Sequence, residues 1–285
     1  MKYAAPSATS AWAFLLLAIV HHAQHTTATW NFNAPIAPVT YSQVRNDQPA
    51  PSTTVDTELE SWCPLAARRA VSPYCECDGS RQFPILSCAH FESTEYMRRV
   101  LNVQFPINRF GKLVVANSTV DELFENSLSG KQFSMITFRK TTLRSVDIEA
   151  FAASQPIVKR LELVHNKLEK FPFASLSSFR NLLNLDLYYN EFTSIPDYAF
   201  GSNRVIKAID LSFNKISHIG SYAFADLPAL ERLDLRFNNI KVVNNHAFAS
   251  ALFDNKHLTL DLSHNKLFYL ADGAFEVRAA AAADC

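Results

Sequence analysis

The side chains suited to acid–base or nucleophilic catalysis fall into two groups: His165 with Glu162 and Asp186, and His264 with Asp261 and Ser263. A hydrolytic centre needs a nucleophile touching a base, a third group that orients the base, oxyanion donors and a pocket that excludes water. These residues sit on the outward side of short strands, an open surface with no such enclosure, and a repeat described below accounts for each of them. The chain is therefore read as no enzyme, without a catalytic residue. It has no phosphate-binding Walker loop, dinucleotide fingerprint or H-E-x-x-H helix. His21, His22 and His25 are of the ligand type for copper or nickel. Most of that tract is lost with the export signal, so neither metal nor cofactor is expected.

Cysteine is the other chemistry-bearing type. Cys63, Cys75, Cys77 and Cys88 cluster within 26 residues, and Cys285 stands alone at the last position. Structural zinc sites pair their cysteines as C-x-x-C, whereas here a C-x-C lies between long gaps, which points to two disulfides with three pairings open. The compartment agrees. The apolar run Ala11–Val20 follows Lys2 and precedes small residues such as Ala23 and Ala28, the make-up of a signal peptide over residues 1–28. Ten apolar residues fall short of the roughly 20 that span a bilayer, and no later segment is long enough. A secreted, extracellular protein in an oxidising medium is expected, with no membrane span, and Cys285 is left open between a free thiol and an intermolecular disulfide.

The 285 residues are 48% hydrophobic, enough for a folded core, and Lys plus Arg equals Asp plus Glu at 27 each. Such a balance lacks the positive excess that a phosphate backbone requires, so no nucleic-acid partner is expected. Residues 29–62, with Pro35, Pro38, Pro49 and Pro51 among Ser, Thr and Gln, read as a polar linker. The remainder repeats. LELVHNKL, LDLYYNEF, IDLSFNKI, LDLRFNNI and LDLSHNKL place Asn166, Asn190, Asn214, Asn238 and Asn265 at spacings of 24, 24, 24 and 27. Weaker copies precede them, with Thr141 and Ser118 at the asparagine position, giving seven coils over residues 113–275.

In each L-x-L the two apolar side chains point inward and their neighbours outward, because side chains alternate along a strand. The asparagine stands where the chain leaves the strand, and its amide can donate to and accept from the backbone groups left unpaired there. A hydroxyl does part of that work at Thr141 and Ser118. Ten residues later comes a large apolar residue, Leu128, Phe151, Leu176, Phe200, Phe224, Phe248 or Phe275, a column that stacks into a spine. Much of the excess of 22 Phe, and the turns made with only 6 Gly, follow from this plan.

The pattern LxxLxLxxNxL at this period resembles the leucine-rich repeat, and CPLAARRAVSPYCECDGSRQFPILSC resembles the cysteine-rich cap before such repeats in secreted and cell-surface members. That resemblance implies an α/β-type solenoid with a curved parallel sheet of about seven coils and a disulfide-bonded cap over residues 63–112. It also implies pairing of Cys63 with Cys77 and of Cys75 with Cys88. The cap followed by two degenerate coils is most similar to arthropod secreted proteins of the type named for the non-catalytic subunit of a shrimp luciferase, which implies an accessory, binding role. Residues 276–285, EVRAAAAADC, read as an irregular tail where such proteins usually carry a second cysteine-rich cap.

A binding module of this kind uses its outward columns. Val114, Thr137, Glu162, Asp186, Asp210, Asp234 and Asp261 form one, read as an acidic side of the face; the two positions before each asparagine give the others. Arg139, Glu162, Tyr188, Tyr189, Phe213, Arg236 and Phe237 are the candidate partner-binding residues, since Tyr and Arg anchor protein interfaces. The partner is expected to be an extracellular protein. Seven strands spaced by about 4.8 Å and five residues of about 3.3 Å give a face of roughly 500 Å². That is below the roughly 800 Å² per partner of a standard interface, so tight binding also needs the flanking loops. Asn117-Ser118-Thr119 is the one N-glycosylation sequon, and a glycan there shades the N-terminal coils.

Overall fold

A strand of three to five residues cannot satisfy its own backbone, so neighbouring coils must supply the hydrogen bonds. In the computed structural model, which describes residues 62–201, 203–225, 227–249 and 258–275, they do so in strict chain order. β1 (Cys75–Ser80) and β2 (Phe83–Ala89) form an antiparallel hairpin. β3 (Arg109–Ser118), β4 (Gln132–Thr141), β5 (Arg160–Val164), β6 (Asn184–Asp186), β7 (Ala208–Asp210), β8 (Arg232–Asp234) and β9 (Thr259–Asp261) then add one by one, all parallel, to a nine-stranded sheet. The expected signal peptide, all of the linker but its last residue, the tail and Cys285 lie outside the described residues.

The register puts like on like. Leu113, Ile136, Leu161, Leu185, Ile209, Leu233 and Leu260 are successive cross-strand partners. The first six are at most 1% exposed, while Leu260 in the last coil is only partly buried. Behind this layer the ladder operates as a chain of amides. Asn190 donates from Nδ2 to the carbonyls of Leu163 and Leu187 and accepts at Oδ1 from Leu168 N–H at 3.1 Å. Asn214, Asn238 and Asn265 repeat this one coil later each time, accepting from the N–H of Phe192, Ile216 and Ile240. Asn166 accepts from both Thr141 N–H and its hydroxyl, and Ser118 Oγ accepts from Phe91 N–H while donating to Ala116 O, so the two substitute residues extend the ladder to the cap.

The spine is a stack of rings over its C-terminal half. Phe200, Phe224, Phe248 and Phe275 follow one another at centroid separations of 5.1, 5.5 and 5.4 Å. In the coil where Leu176 interrupts the aromatic column, Phe173 brings its ring to 5.0 Å from Phe200, and Phe179 meets Phe151 at 6.4 Å. Phe173 opens a 3₁₀ segment, Phe173–Ser178, and Phe179 follows its last residue. Two α-helices occur among the described residues, α1 (Leu65–Val71) and α2 (Thr94–Leu101), both in the cap. The helical layer of an α/β-type solenoid is thus reduced, in the coils, to turns and 3₁₀ segments.

The cap is part of the sheet. Leu86 and Cys88 of β2 are in register with Leu113 and Val115, so the hairpin supplies the first inward layer of the solenoid. Two disulfides fix it, Cys63–Cys77 and Cys75–Cys88, the pairing that the family resemblance implies. The end of the core is closed by rings: Trp62, Phe105 and Phe110 lie 5.3–6.3 Å apart, and Phe110 meets Phe133 at 5.2 Å. The phenylalanine surplus therefore serves the cap as well as the spine.

Phe224 is wholly buried between two rings, so Phe224→Ala is expected to cost about 3–5 kcal/mol in urea denaturation. Asn214→Ala, which strands Phe192 N–H and leaves Leu187 O and Leu211 O each with one amide donor instead of two, is expected to cost about 1–3 kcal/mol. Losses under about 1 kcal/mol for both would contradict the ladder-and-spine account.

Candidate functional site

The outward face is built from three positions of each strand and the residue that follows. On the floor, the carboxylate after the first inward leucine accepts a backbone N–H two residues on. Asp186 accepts from Tyr188 at 3.0 Å, Asp210 from Ser212 at 2.8 Å, Asp234 from Arg236 at 3.1 Å and Asp261 from Ser263 at 2.9 Å. This is an Asx turn, and backbone bonds between coils continue around it, from Leu187 N–H to Asp210 O and from Tyr189 N–H to Ser212 O.

This column is not the exposed acidic side that alternation alone implies. Asp210 and Asp234 are 4% and 3% exposed. Strand register makes Asp186, Asp210 and Asp234 direct neighbours. Burial, and then the Asp210 carboxylate, push Asp186 up to about 7; Asp234 is raised to about 7 by the same two causes. Asp210 is also raised by burial, against the two hydrogen bonds from Ser212.

Arg236 lies along this floor. Its Nε is 2.9 Å from Asp234 Oδ2 and its side chain is 14% exposed, so its charge is largely committed to the chain itself. Glu162 is likewise engaged, accepting from Thr137 Oγ1 at 2.7 Å and pairing with Arg160 at 3.4 Å. Arg139 is exposed on β4, in register with Val164 of β5. Of the seven candidate residues, Glu162 and Arg236 are thus engaged within the free chain, and Arg139 lies one coil before the first ring of the column.

The other four come together. The residue before each ladder position has a left-handed backbone: Asn117, Lys140, His165, Tyr189, Phe213, Phe237 and His264 have φ between 47 and 56°. Scarce glycine therefore does not mean that these turns avoid positive φ. Each such residue costs about 1–2 kcal/mol, offset where rings stack by about 0.5–1.5 kcal/mol a pair. His165 meets Tyr189 at 4.7 Å, Tyr189 meets Phe213 at 6.3 Å, Phe213 meets Phe237 at 4.2 Å and Phe237 meets His264 at 4.1 Å. Tyr188, half-buried on the floor, leans against His165, Tyr189 and Phe213. Tyr189 and Phe237 are 52% and 38% exposed.

His165, the base of the catalytic alternative, has its ring in contact with tyrosines, and burial and Lys140 lower its pKa. Beside the ring column lies a shallow hollow of about 390 Å³ lined by Tyr189, Phe213, Phe237, Glu191, Lys215 and the ladder asparagines. Sequence reasoning missed its far wall, Glu191 and Lys215, joined by an ion pair of 2.8 Å. The signal was present in the residue after each ladder position, which alternation along a strand does not cover. Asn117 is exposed at the first position of the left-handed column.

Two comparisons bear on the family. A leucine-rich repeat model matches residues 156–216, 180–240 and 204–267. The Oplophorus-luciferin 2-monooxygenase non-catalytic subunit of Oplophorus gracilirostris is 29% identical over 123 residues, 42% of this chain and 33% of that protein. Among solved structures, a chain of the TLR13-ssRNA13 complex aligns with TM-score 0.54 and 25% identity over 64% of this chain and 25% of that one. The chain thus spans about a third or less of each relative's length.

The raised carboxylates predict a pH dependence. A carboxyl whose folded pKa exceeds its unfolded value stabilises the fold fully below the unfolded value, near 4, and that stability is lost as pH rises through about 7. Asp186→Asn keeps the acceptor for Tyr188 N–H and removes the charge. It is expected to match the parent at pH 3 and to be more stable at pH 8 by about 1–3 kcal/mol, read by urea denaturation at both values. An equal difference at the two pH values would refute the assignment.

The matched repeats, the asparagine ladder that joins them and the two disulfides before them agree: residues 156–267 carry leucine-rich repeats, and the described chain folds as a leucine-rich repeat solenoid behind a disulfide-bonded N-terminal segment.

Proposed function

We propose that the chain is a secreted module for protein–protein recognition through the concave face of its sheet, with the aromatic residues of the middle and late coils as its anchor. A repeat solenoid offers a protein partner an extended surface rather than an enclosed pocket. The observation that carries the reading is the row His165, Tyr189, Phe213, Phe237 and His264, one ring per coil, with Tyr188 beneath it. Rings held by one another and by a fixed backbone lose little freedom on binding, the quality of an interface hot spot. The disulfides and the apolar N-terminal run support an extracellular setting.

A second reading has its own support: an accessory subunit that stabilises a secreted enzyme, since the matched relative is by name a non-catalytic subunit. Affinity capture of the secreted protein followed by mass spectrometry separates the two. A stoichiometric enzyme favours the accessory role, and receptors or matrix proteins favour free recognition.

Tyr188→Ala with Phe237→Ala is expected to weaken capture of the recovered partner by more than tenfold, the equivalent of about 1.4 kcal/mol or more. An unchanged affinity would remove the patch from the interface. The exposed sequon at Asn117 is expected to carry a glycan when the protein is made in a secretory host, read as a mass loss on enzymatic deglycosylation and absent in Asn117→Gln.

A further inference from the structure

The stacked column raises the question of what kind of chemistry its solvent side prefers. Aromatic rings are electron-rich on the face and electron-poor at the edge. In the hollow beside the column, Tyr189, Phe213 and Phe237 are stacked with interplanar angles of 24° and 22°, so the faces are occupied by neighbouring rings and the edges line the cavity. Unstacked nucleobases dock on free ring faces, and these rings have few to offer. Their edges instead offer an apolar wall whose electron-poor rim suits a neighbouring oxygen anion better than a cation.

The charges around the hollow agree. Lys215 lines it directly, paired with Glu191. Lys215, Lys167 and Arg144 together hold the Glu191 carboxyl below the usual carboxylate range. Three cations thus act on the one acid that lines the hollow, in a chain whose net charge is zero. A single surface ion pair is worth about 0–1 kcal/mol, so Lys215 is available to an incoming carboxylate.

We infer that this hollow is the docking site for an acidic segment of the partner protein, with carboxylates on Lys215 and Lys167 and an apolar side chain against the edges of Tyr189, Phe213 and Phe237. The assignment rests on the recognition role proposed above and gives it a partner chemistry. A polypeptide fits better than a sulfated glycan because the hollow joins apolar ring edges to cations, and a peptide presents both carboxylate and aliphatic groups within a few residues. Opposite charge across such a contact sets orientation and association rate, so binding weakens as salt rises.

The test uses the full chain and a labelled peptide of about twelve residues alternating Glu and Leu, with a Gln/Leu counterpart, heparin and oligouridylate as comparison ligands, followed by fluorescence anisotropy. The Glu/Leu peptide is expected to bind at least about tenfold more tightly than the Gln/Leu peptide, heparin or oligouridylate, equivalent to about 1.4 kcal/mol. Lys215→Glu with Lys167→Glu is expected to abolish that preference. Glu191→Gln is expected to tighten binding about two- to threefold, a gain that a misfolded variant cannot mimic. Equal binding of the two peptides, a silent charge reversal, or tighter binding of heparin or oligouridylate would each overturn the assignment. If the natural partner responds to Tyr188→Ala with Phe237→Ala but not to the lysine variants, the recognition role stands and the acidic segment falls.

Discussion

The side-chain amide of the ladder asparagine is the constraint on which the rest depends. A coil that leaves its strand abandons backbone donors and acceptors in a dry interior, and one Asn with a carbonyl and an NH₂ satisfies groups on two coils at once. Because Asn214 reaches back to Leu187 O and Phe192 N–H as well as its own Leu211 O, it fixes the spacing of adjacent coils as well as the turn within one. A period of 24 residues is then a consequence: insertions and deletions are absorbed away from this point, as the spacing of 27 before Asn265 illustrates. The register of the core leucines, the ring spine and the columns of the outward face all inherit that spacing.

The same constraint shapes the exposed surface. To bring the asparagine inward, the preceding residue turns with positive φ, a conformation unfavourable to Tyr and Phe. The chain nonetheless has His, Tyr, Phe, Phe and His there in five consecutive coils, each against its neighbour's ring. Glycine or asparagine would turn more readily and bind nothing. A costly residue type repeated at a position where a cheaper one suffices is better explained by what the surface contacts than by the turn. This separates the aromatic column from the Asp column, whose carboxylates are used up on the chain's own N–H groups.

Much of this was legible in the sequence because a repeat turns long-range contacts into a periodic local pattern. The inward leucines, the asparagine positions, the Phe column and the residues facing outward could all be numbered from the spacing. Alternation could not tell outward from exposed. Asp210 and Asp234 point away from the core and are still almost wholly buried, because side chains of adjacent coils crowd them and Arg236 folds back along the strand. Residue type does not show such engagement either: Arg236 and Glu162, interface candidates by type, are held in the free chain by Asp234, Thr137 and Arg160. Buried polar fillers on the far side of the coils lay outside the period altogether. Ser154 accepts from Phe133 N–H, and Asn203 accepts from Val205 and Ile206 N–H while donating to Leu176 O.

The cap closes the core at the start of the described sheet, and this supports the surface on which the proposed partner sits. At the N-terminal end a disulfide-fixed hairpin contributes its own strand, and Trp62, Phe105 and Phe110 seal the core with rings. In the last described coil Leu260, Leu262, Leu267 and Leu270 are only partly buried, and Phe268 is 77% exposed. Stability in such arrays comes from each coil's neighbours, so the coils near the cap are the best supported. The aromatic column begins at His165, well inside that supported region, and runs away from the cap. Its first rings, with Tyr188 beneath them, sit on a fully packed core, where ring positions are held before a partner arrives. In the proposed recognition role, Tyr188, Tyr189 and Phe213, set on this packed core and against one another, are the preorganised part of the surface.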